Sequence, residues 1–365
     1  MKKKILFIIW SLSYGGGAEK ILANIVNNLN QDKYDIEILE YLHSDKKEVI
    51  NPNIKIYPPI IDTTKKDVAS KIYNHIIDRL LMRVCPQKIR KANLKTSYDV
   101  EISFNYLIPT FLLDRECKRK IAWMHGTIYD LEDSKFMKQK QRKSLKEVNK
   151  IVAISEVTEQ SVRDEFPEFQ NKILKIYNGY DFSKMSSDEV VDDFQLLYCN
   201  RFDENKNPLQ FIRIVKILKD SGMDVTAKML GTGDLFDEAK VLIKKYNLDA
   251  NIECVGYKKN PYSYYKHCKV FCLTSHAEGF PTTIVEAMFF GKPFVSTKVA
   301  GTKELTQNGL CGFAEADENT YVKRVAQLLE DEELYKRMSV QCKENVTQYS
   351  LQNQIRKIEK CIDSL

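Results

Sequence analysis

Two carboxylates eight residues apart, Glu278 and Glu286, bracket the run Ser275-His276-Ala277-Glu278-Gly279-Phe280-Pro281-Thr282-Thr283-Ile284-Val285-Glu286-Ala287-Met288. The apolar segment Lys269 to Leu273 before it reads as a buried strand, Gly279 to Pro281 as a tight turn and Thr282 to Phe290 as a helix. A strand end would then meet a helix start, where unpaired amides and the positive end of the helix dipole favour an anion. A phosphate or a hydroxyl-rich ligand could rest there against Thr282, Thr283 and Ile284. Glu278 would flank it from the loop, and Glu286 from about one turn inside the helix. The same residues permit a structural reading, because Thr283-Ile284-Val285-Glu286 has capping-box spacing. A hydrolytic acid and nucleophile pair fits less well: its carboxyls must lie ~5–10 Å apart across one bond. Eight positions on a partly helical run rise up to about 12 Å.

Three further groups could do chemistry. Arg201 and Lys206 sit in Cys199-Asn200-Arg201-Phe202-Asp203-Glu204-Asn205-Lys206-Asn207-Pro208, after a strand. Cations so spaced can clamp a diphosphate, the arginine as a planar fork and the lysine as a point charge, or they can decorate an ordinary surface loop. Gly15-Gly16-Gly17-Ala18-Glu19 opens a helix after the first strand; it lets backbone approach a phosphate or sugar, or makes a tight turn. It is not the Gly-x-Gly-x-x-Gly of dinucleotide enzymes, since position 20 is Lys20. Trp123-Met124-His125-Gly126 ends a strand, which places His125 to meet a ligand, although a lone histidine can equally be structural.

Alternating strands and helices must position these groups. Lys4–Trp10, Tyr34–Glu40, Asp99–Phe104, Lys120–Met124 and Lys150–Ala153 read as strands, with Ala18 to Leu29 a helix. Phe194–Cys199, Asp224–Leu230, Ile252–Val255, Val270–Leu273 and Phe294–Thr297 repeat the rhythm. Two parallel sheets wound with helices follow, joined near Asn178 to Asp193. Their ligands belong at the carboxyl ends of the strands. A chain of 365 residues exceeds what one core usually serves, and 43% hydrophobic with 29% charged residues is ordinary globular composition.

Nine scattered cysteines, none in Cys-x-x-Cys spacing, suggest neither a disulfide framework nor zinc and fit a reducing compartment. The apolar run Ile5 to Trp10 is far short of a membrane span and no cleavage site follows, so the mature chain is expected to begin at Met1. Residues 1–180 carry 31 Lys+Arg against 23 Asp+Glu, and the remainder 25 against 27. Within the basic half, Lys135 to Lys146 reads as a cation-rich helix, either a solvated face or a contact for anionic lipid. Nucleic acid is not expected, because no binding module accompanies the charge.

Taken in order, the glycine loop, His125, the Arg201/Lys206 pair and the Glu-x7-Glu run with its following Gly291-Lys292-Pro293 resemble retaining GT-B glycosyltransferases of family 4 over essentially the whole chain. The resemblance implies two Rossmann-like domains facing across a cleft. Residues 1–180 would bind the acceptor and 181–349 the nucleotide-sugar donor, with 350–365 a helix returning to the first domain. It implies that Arg201, Lys206 and the helix start near Thr283 meet the diphosphate, and that Glu286 holds the ribose. Glu278 and the backbone of Gly279, Phe280, Pro281 and Thr282 would face the sugar. His125 would reach that sugar, and Gly15, Gly16 and Gly17 would lie on the acceptor side. Where the family has glycine beside each cation this chain has Asn200 and Asn207; asparagine tolerates left-handed backbone, so the clamp is still expected. No cofactor is implied beyond the co-substrate, a UDP-sugar, and no essential metal. The narrower likeness is to cytoplasmic enzymes that build bacterial surface polysaccharides on polyprenyl-diphosphate carriers, peripheral on an anionic membrane surface. A GT-B sugar-nucleotide epimerase and a non-catalytic subunit of a membrane assembly are the competing classes.

Overall fold

Continuous apolar runs such as Ile5-Leu6-Phe7-Ile8-Ile9 leave no face for solvent, which suits a parallel strand covered by helices on both sides. The computed structural model describes residues 2–12, 17–43, 49–78, 85–128 and 135–365. The chain divides into two units, residues 1–179 with 351–365, and residues 180–350.

In the first unit the described strands are β1 (Lys3–Ile9), β2 (Tyr34–Glu40), β3 (Leu42–His43), β4 (Lys55–Ile56), β5 (Ile61–Asp62), β6 (Val100–Ser103), β7 (Lys120–Met124), β8 (Lys150–Ala153) and β9 (Ile173–Lys175). Seven of them form a parallel sheet in the order β4-β2-β1-β6-β7-β8-β9, and β3 pairs with β5 beside it. One face packs the helix Gly17–Asn28 through Ile21, Leu22, Ile25 and Val26 against Phe7, Ile102 and Trp123. The C-terminal helix Leu351–Asp363 closes the same core with Ile358, Cys361 and Ile362. The short edge strands β3, β4, β5 and β9 were not expected from the sequence, because two or three residues show no period.

In the second unit β10 (Phe194–Cys199), β11 (Ala227–Leu230), β12 (Ile252–Gly256), β13 (Cys268–Leu273), β14 (Phe294–Thr297) and β15 (Gly312–Glu315) form a parallel sheet in the order β12-β11-β10-β13-β14-β15. The chain builds outward from β10 through β11 to β12, then returns to lay β13 on the other side of β10, with Leu196 opposite Val270. The crossover helices on the two sides diverge there, so the carboxyl ends of β10 and β13 form a crevice, the place where such sheets take ligands. The helices Pro208–Asp220 and Glu318–Glu330 bury Phe211, Val215, Leu218, Val325 and Leu328 against this sheet.

Candidate active site

The loops leaving β10 and β13 are laced together. The Tyr198 hydroxyl donates to Arg201 O at 2.8 Å, and Thr274 Oγ1 donates to Asn207 O at 2.9 Å. His276 N donates to Asn205 O at 2.7 Å, and Asn205 Nδ2 returns a bond to Ala277 O at 3.1 Å. Upon this frame Lys206 Nζ meets Glu278 Oε1 at 2.6 Å, both side chains being mostly buried. Ser275 Oγ donates to the same oxygen at 2.7 Å, and Thr297 Oγ1 on β14 fixes Ser275 O at 2.5 Å. Arg201 lies 3.0 Å from Asp203 Oδ2, while Asp203 Oδ1 accepts from Lys206 N at 2.9 Å. The guanidinium is the open member, its side chain 73% exposed.

Two glycines after β11 seat the Arg201 loop. A Cβ on Gly231 would lie 1.8 Å from Asn200 O, and one on Gly233 would lie 2.5 Å from Phe202 O; both glycines have positive φ. Thr232 O between them accepts from Phe202 N at 3.0 Å. Asn207 adopts the left-handed conformation, φ 46° and ψ 57°, and caps the helix Pro208–Asp220 by accepting from Gln210 N at 3.3 Å. The asparagine in place of glycine therefore adds a cap to the turn.

The helix Thr282–Phe289 begins immediately after Pro281, whose extended backbone offers no side-chain cap. Thr283 sits inside the helix rather than at its cap, so the capping-box alternative for Glu286 does not form. Glu286 instead points its carboxyl into a pocket of tyrosines. Burial pushes its pKa up to about 7. Its charge is felt by Tyr180, Tyr262, Tyr265 and Cys199. The buried Tyr265 hydroxyl faces both Glu286 and the Cys199 thiol, which burial raises to about 12. Glu278 and Glu286 thus occupy different environments, one ion-paired on a loop and one desolvated on a helix.

In the first unit, His125 directly follows β7, and its ring packs 4.4 Å from Phe104 and 6.2 Å from Trp123 between centroids. Nε2 has no hydrogen-bond partner among the described residues, and burial lowers the pKa to about 3, so the imidazole is neutral. Gly17 opens the helix that follows β1; Gly15 and Gly16 lie outside the described residues. The basic helix Lys135–Lys146 forms, but it directs Lys138 to Glu165 at 3.1 Å and Arg142 to Glu168 at 2.7 Å. Those two cations are therefore partnered within the fold.

Sequence reasoning missed Asp203, Ser275, Tyr265 and the Gly231-Thr232-Gly233 loop. The Gly-x-Gly after β11 was a visible signal, since paired glycines at a strand's carboxyl end mark close backbone approach. Tyr265 becomes a site residue only through the distant Glu286 and Cys199, whereas Asp203 and Ser275 act on partners within three residues, Arg201 and Lys206 for the one and Glu278 for the other.

Comparison with known proteins bears on this arrangement. The family model for glycosyl transferases group 1 matches residues 181–345. A Campylobacter jejuni relative, N-acetylgalactosamine-N,N'-diacetylbacillosaminyl-diphospho-undecaprenol 4-alpha-N-acetylgalactosaminyltransferase, is 26% identical, with 92% of each chain covered. The Staphylococcus aureus capsular polysaccharide biosynthesis glycosyltransferase CapM is 27% identical over 50% of this chain and 53% of its own. Among solved structures, Anabaena HepE in complex with UDP superposes with a TM-score of 0.75 at 17% identity, covering 100% of both chains. The lipopolysaccharide outer core galactosyltransferase WaaB superposes with the same TM-score, 0.75, at 17% identity and 99% coverage of both chains. The crevice loops lie inside the residues that match the glycosyl transferases group 1 model, and the fold along the whole chain is the GT-B fold of these structures.

Proposed function

We propose that the protein is a retaining family 4 enzyme that moves a sugar from a UDP-sugar to a glycan or polyprenyl-diphosphate-linked acceptor in the synthesis of a bacterial surface polysaccharide. The observation that carries this reading is the Lys206–Glu278 contact at the β10/β13 crevice, beside the uncapped start of the helix Thr282–Phe289. An ammonium has three donors, so Glu278 takes one and two remain for phosphate oxygens. Arg201 and the first amides of the helix add positive potential where charge develops on the departing diphosphate. Glu278, held in place by Lys206 and Ser275, accepts hydroxyls of the transferred sugar, with the backbone of Gly279, Phe280, Pro281 and Thr282 beside it. Glu286 accepts the ribose hydroxyls. His125 of the first unit, neutral, meets the sugar, and the Gly15–Gly17 loop borders the acceptor.

The bond from the anomeric carbon to the diphosphate breaks and one to the acceptor hydroxyl forms on the same face; the hydroxyl's proton leaves with the diphosphate. The UDP complex of Anabaena HepE and the diphospho-undecaprenol substrate in the Campylobacter jejuni relative's name support the donor and acceptor classes. An acceptor on a lipid carrier places the protein at the inner face of a cell membrane, bound to an anionic surface. No helix among the described residues is long and apolar enough to cross a membrane. The test is incubation with a panel of nucleotide sugars and short polyprenyl-diphosphate glycans, with products read by mass and anomeric configuration by NMR. Conversion of the donor without an acceptor would establish an epimerase instead. Absence of turnover across the panel would favour a non-catalytic subunit.

A further inference from the structure

Beyond the carboxyl ends of β1 and β2 the first unit holds a cavity of about 410 Å³, large enough for a small ligand and at the end of the sheet where ligands bind. Its polar side chains come from the last residue of β2 and from the short strands β3 and β5. Buried Glu40 accepts from Leu12 N at 2.6 Å and from Ser11 Oγ at 3.2 Å, which ties the cavity to the segment leading into the glycine loop. His43 Nδ1 lies 2.9 Å from Glu40 Oε2. A carboxylate only accepts, so Nδ1 carries the hydrogen and Nε2 of the neutral ring is an acceptor. Asp62 Oδ1 accepts from Thr64 Oγ1 at 2.6 Å, while Oδ2 lies 3.8 Å from the Lys65 ammonium, beyond hydrogen-bond reach. The rest of the wall is largely apolar and includes Ile56, Tyr57, Pro58 and Pro59. The Tyr57 hydroxyl donates to Glu37 Oε2 at 2.7 Å, which leaves the ring for the cavity.

We infer that this cavity seats a sugar ring of the acceptor and not its diphosphate. Glu40, His43 and Asp62 offer lone pairs, so the groups they can hold are donors: hydroxyls and amide N–H groups. Charge points the same way. The lining carries two carboxylates and neither lysine nor arginine; Lys65 at the rim offsets one of them, and Lys55 lies 3.7 Å from Glu37, which it offsets in turn. A phosphate there would meet like charge. A sugar ring instead matches both kinds of wall, its hydroxyl edge against the acceptors and its C–H face against Ile56, Tyr57 and the prolines. His43 and Asp62 touch the sugar in this arrangement, and Glu40 is a positioning residue that acts through His43. The inference rests on the transferase reading above and adds which part of the acceptor the first unit recognises. Sugar binding is measured without turnover, so the two fail separately.

The experiment uses the full chain, a panel of methyl glycosides of glucose, galactose and their 2-acetamido forms, and inorganic diphosphate as the contrasting probe. Saturation-transfer NMR should show at least one glycoside bound, with affinity lowered roughly 2- to 10-fold in His43→Ala for the loss of one hydrogen bond. Ile56→Trp fills the cavity from a side chain that is 44% exposed, so it should keep the native circular dichroism and weaken the glycoside at least as much. Diphosphate should bind both variants as it binds the wild type. With a polyprenyl-diphosphate glycan as substrate, the acceptor KM should rise by a similar factor in both variants while the donor KM stays in place. Glycoside binding that neither substitution weakens, no glycoside bound at all, or diphosphate binding lost in His43→Ala would overturn the assignment. Glycoside binding that follows these expectations in a protein that transfers no sugar would count against the transferase reading alone.

Discussion

At the scale of single residues, the crevice separates two glutamates that the sequence presents as a matched pair. Glu278 bonds Lys206 at 2.6 Å, and its loss removes a charge-assisted hydrogen bond worth ~1.5–3 kcal/mol. Glu278→Ala should therefore lower transfer roughly 10- to 150-fold while circular dichroism stays native; wild-type turnover in that variant would end its assigned role. Glu286 titrates differently. Its folded pKa is raised from 4.5 to about 7, so the fold binds its proton more tightly than the unfolded chain does. Stability then declines as pH rises from about 4.5 to about 7 and levels off above, by on the order of 3 kcal/mol. In Glu286→Gln the melting temperature should lack that decline. Donor affinity, followed by calorimetry, should rise through pH 7 in the wild type and stay flat in the variant. His125 has the opposite sign: with its pKa lowered from 6.5 to about 3, its neutral burial is a stability lost as pH falls through that interval.

At the scale of elements, the Arg201 loop is shaped by its neighbours more than by its own sequence. Asn207 supplies a left-handed turn and a helix cap at one position. Asn207→Gly keeps the turn and loses little of the cap, so it should change stability by only a few tenths of a kcal/mol. Asn207→Val loses both and should cost about 2 kcal/mol or more, read as a lower melting temperature together with weaker donor binding through the displaced Lys206. An equal effect from the two substitutions would mean that the left-handed conformation is not what the position requires.

At the scale of the whole molecule, the chain closes the first unit with its last residues, since Ile358, Cys361 and Ile362 enter the core built around β1 and the helix Gly17–Asn28. Ile358→Ala should destabilise that unit by about 2–5 kcal/mol. In differential scanning calorimetry one transition should shift and the other, belonging to residues 180–350, should stay in place. A shift of both together would show that the units unfold as one. If, as proposed, cations and a helix start of the second unit meet the diphosphate, transfer should survive EDTA. Activity lost to EDTA and restored by Mg²⁺ would mean that these groups do not suffice.

The alternation of strands and helices was legible because it is a local pattern. Tyr34–Glu40, Lys120–Met124, Lys150–Ala153, Phe194–Cys199 and Phe294–Thr297 each form a strand with the bounds their apolar runs suggest. The Glu-x7-Glu run was legible because its turn and helix lie within one continuous segment. The sequence did not reveal that Lys206 and Glu278, 72 residues apart, bond each other, since that depends on β13 returning to the side of β10. Nor could it choose between a capping box and a buried carboxylate for Glu286: both use the same spacing, and only the position of Pro281 and the packing of Tyr265 decide.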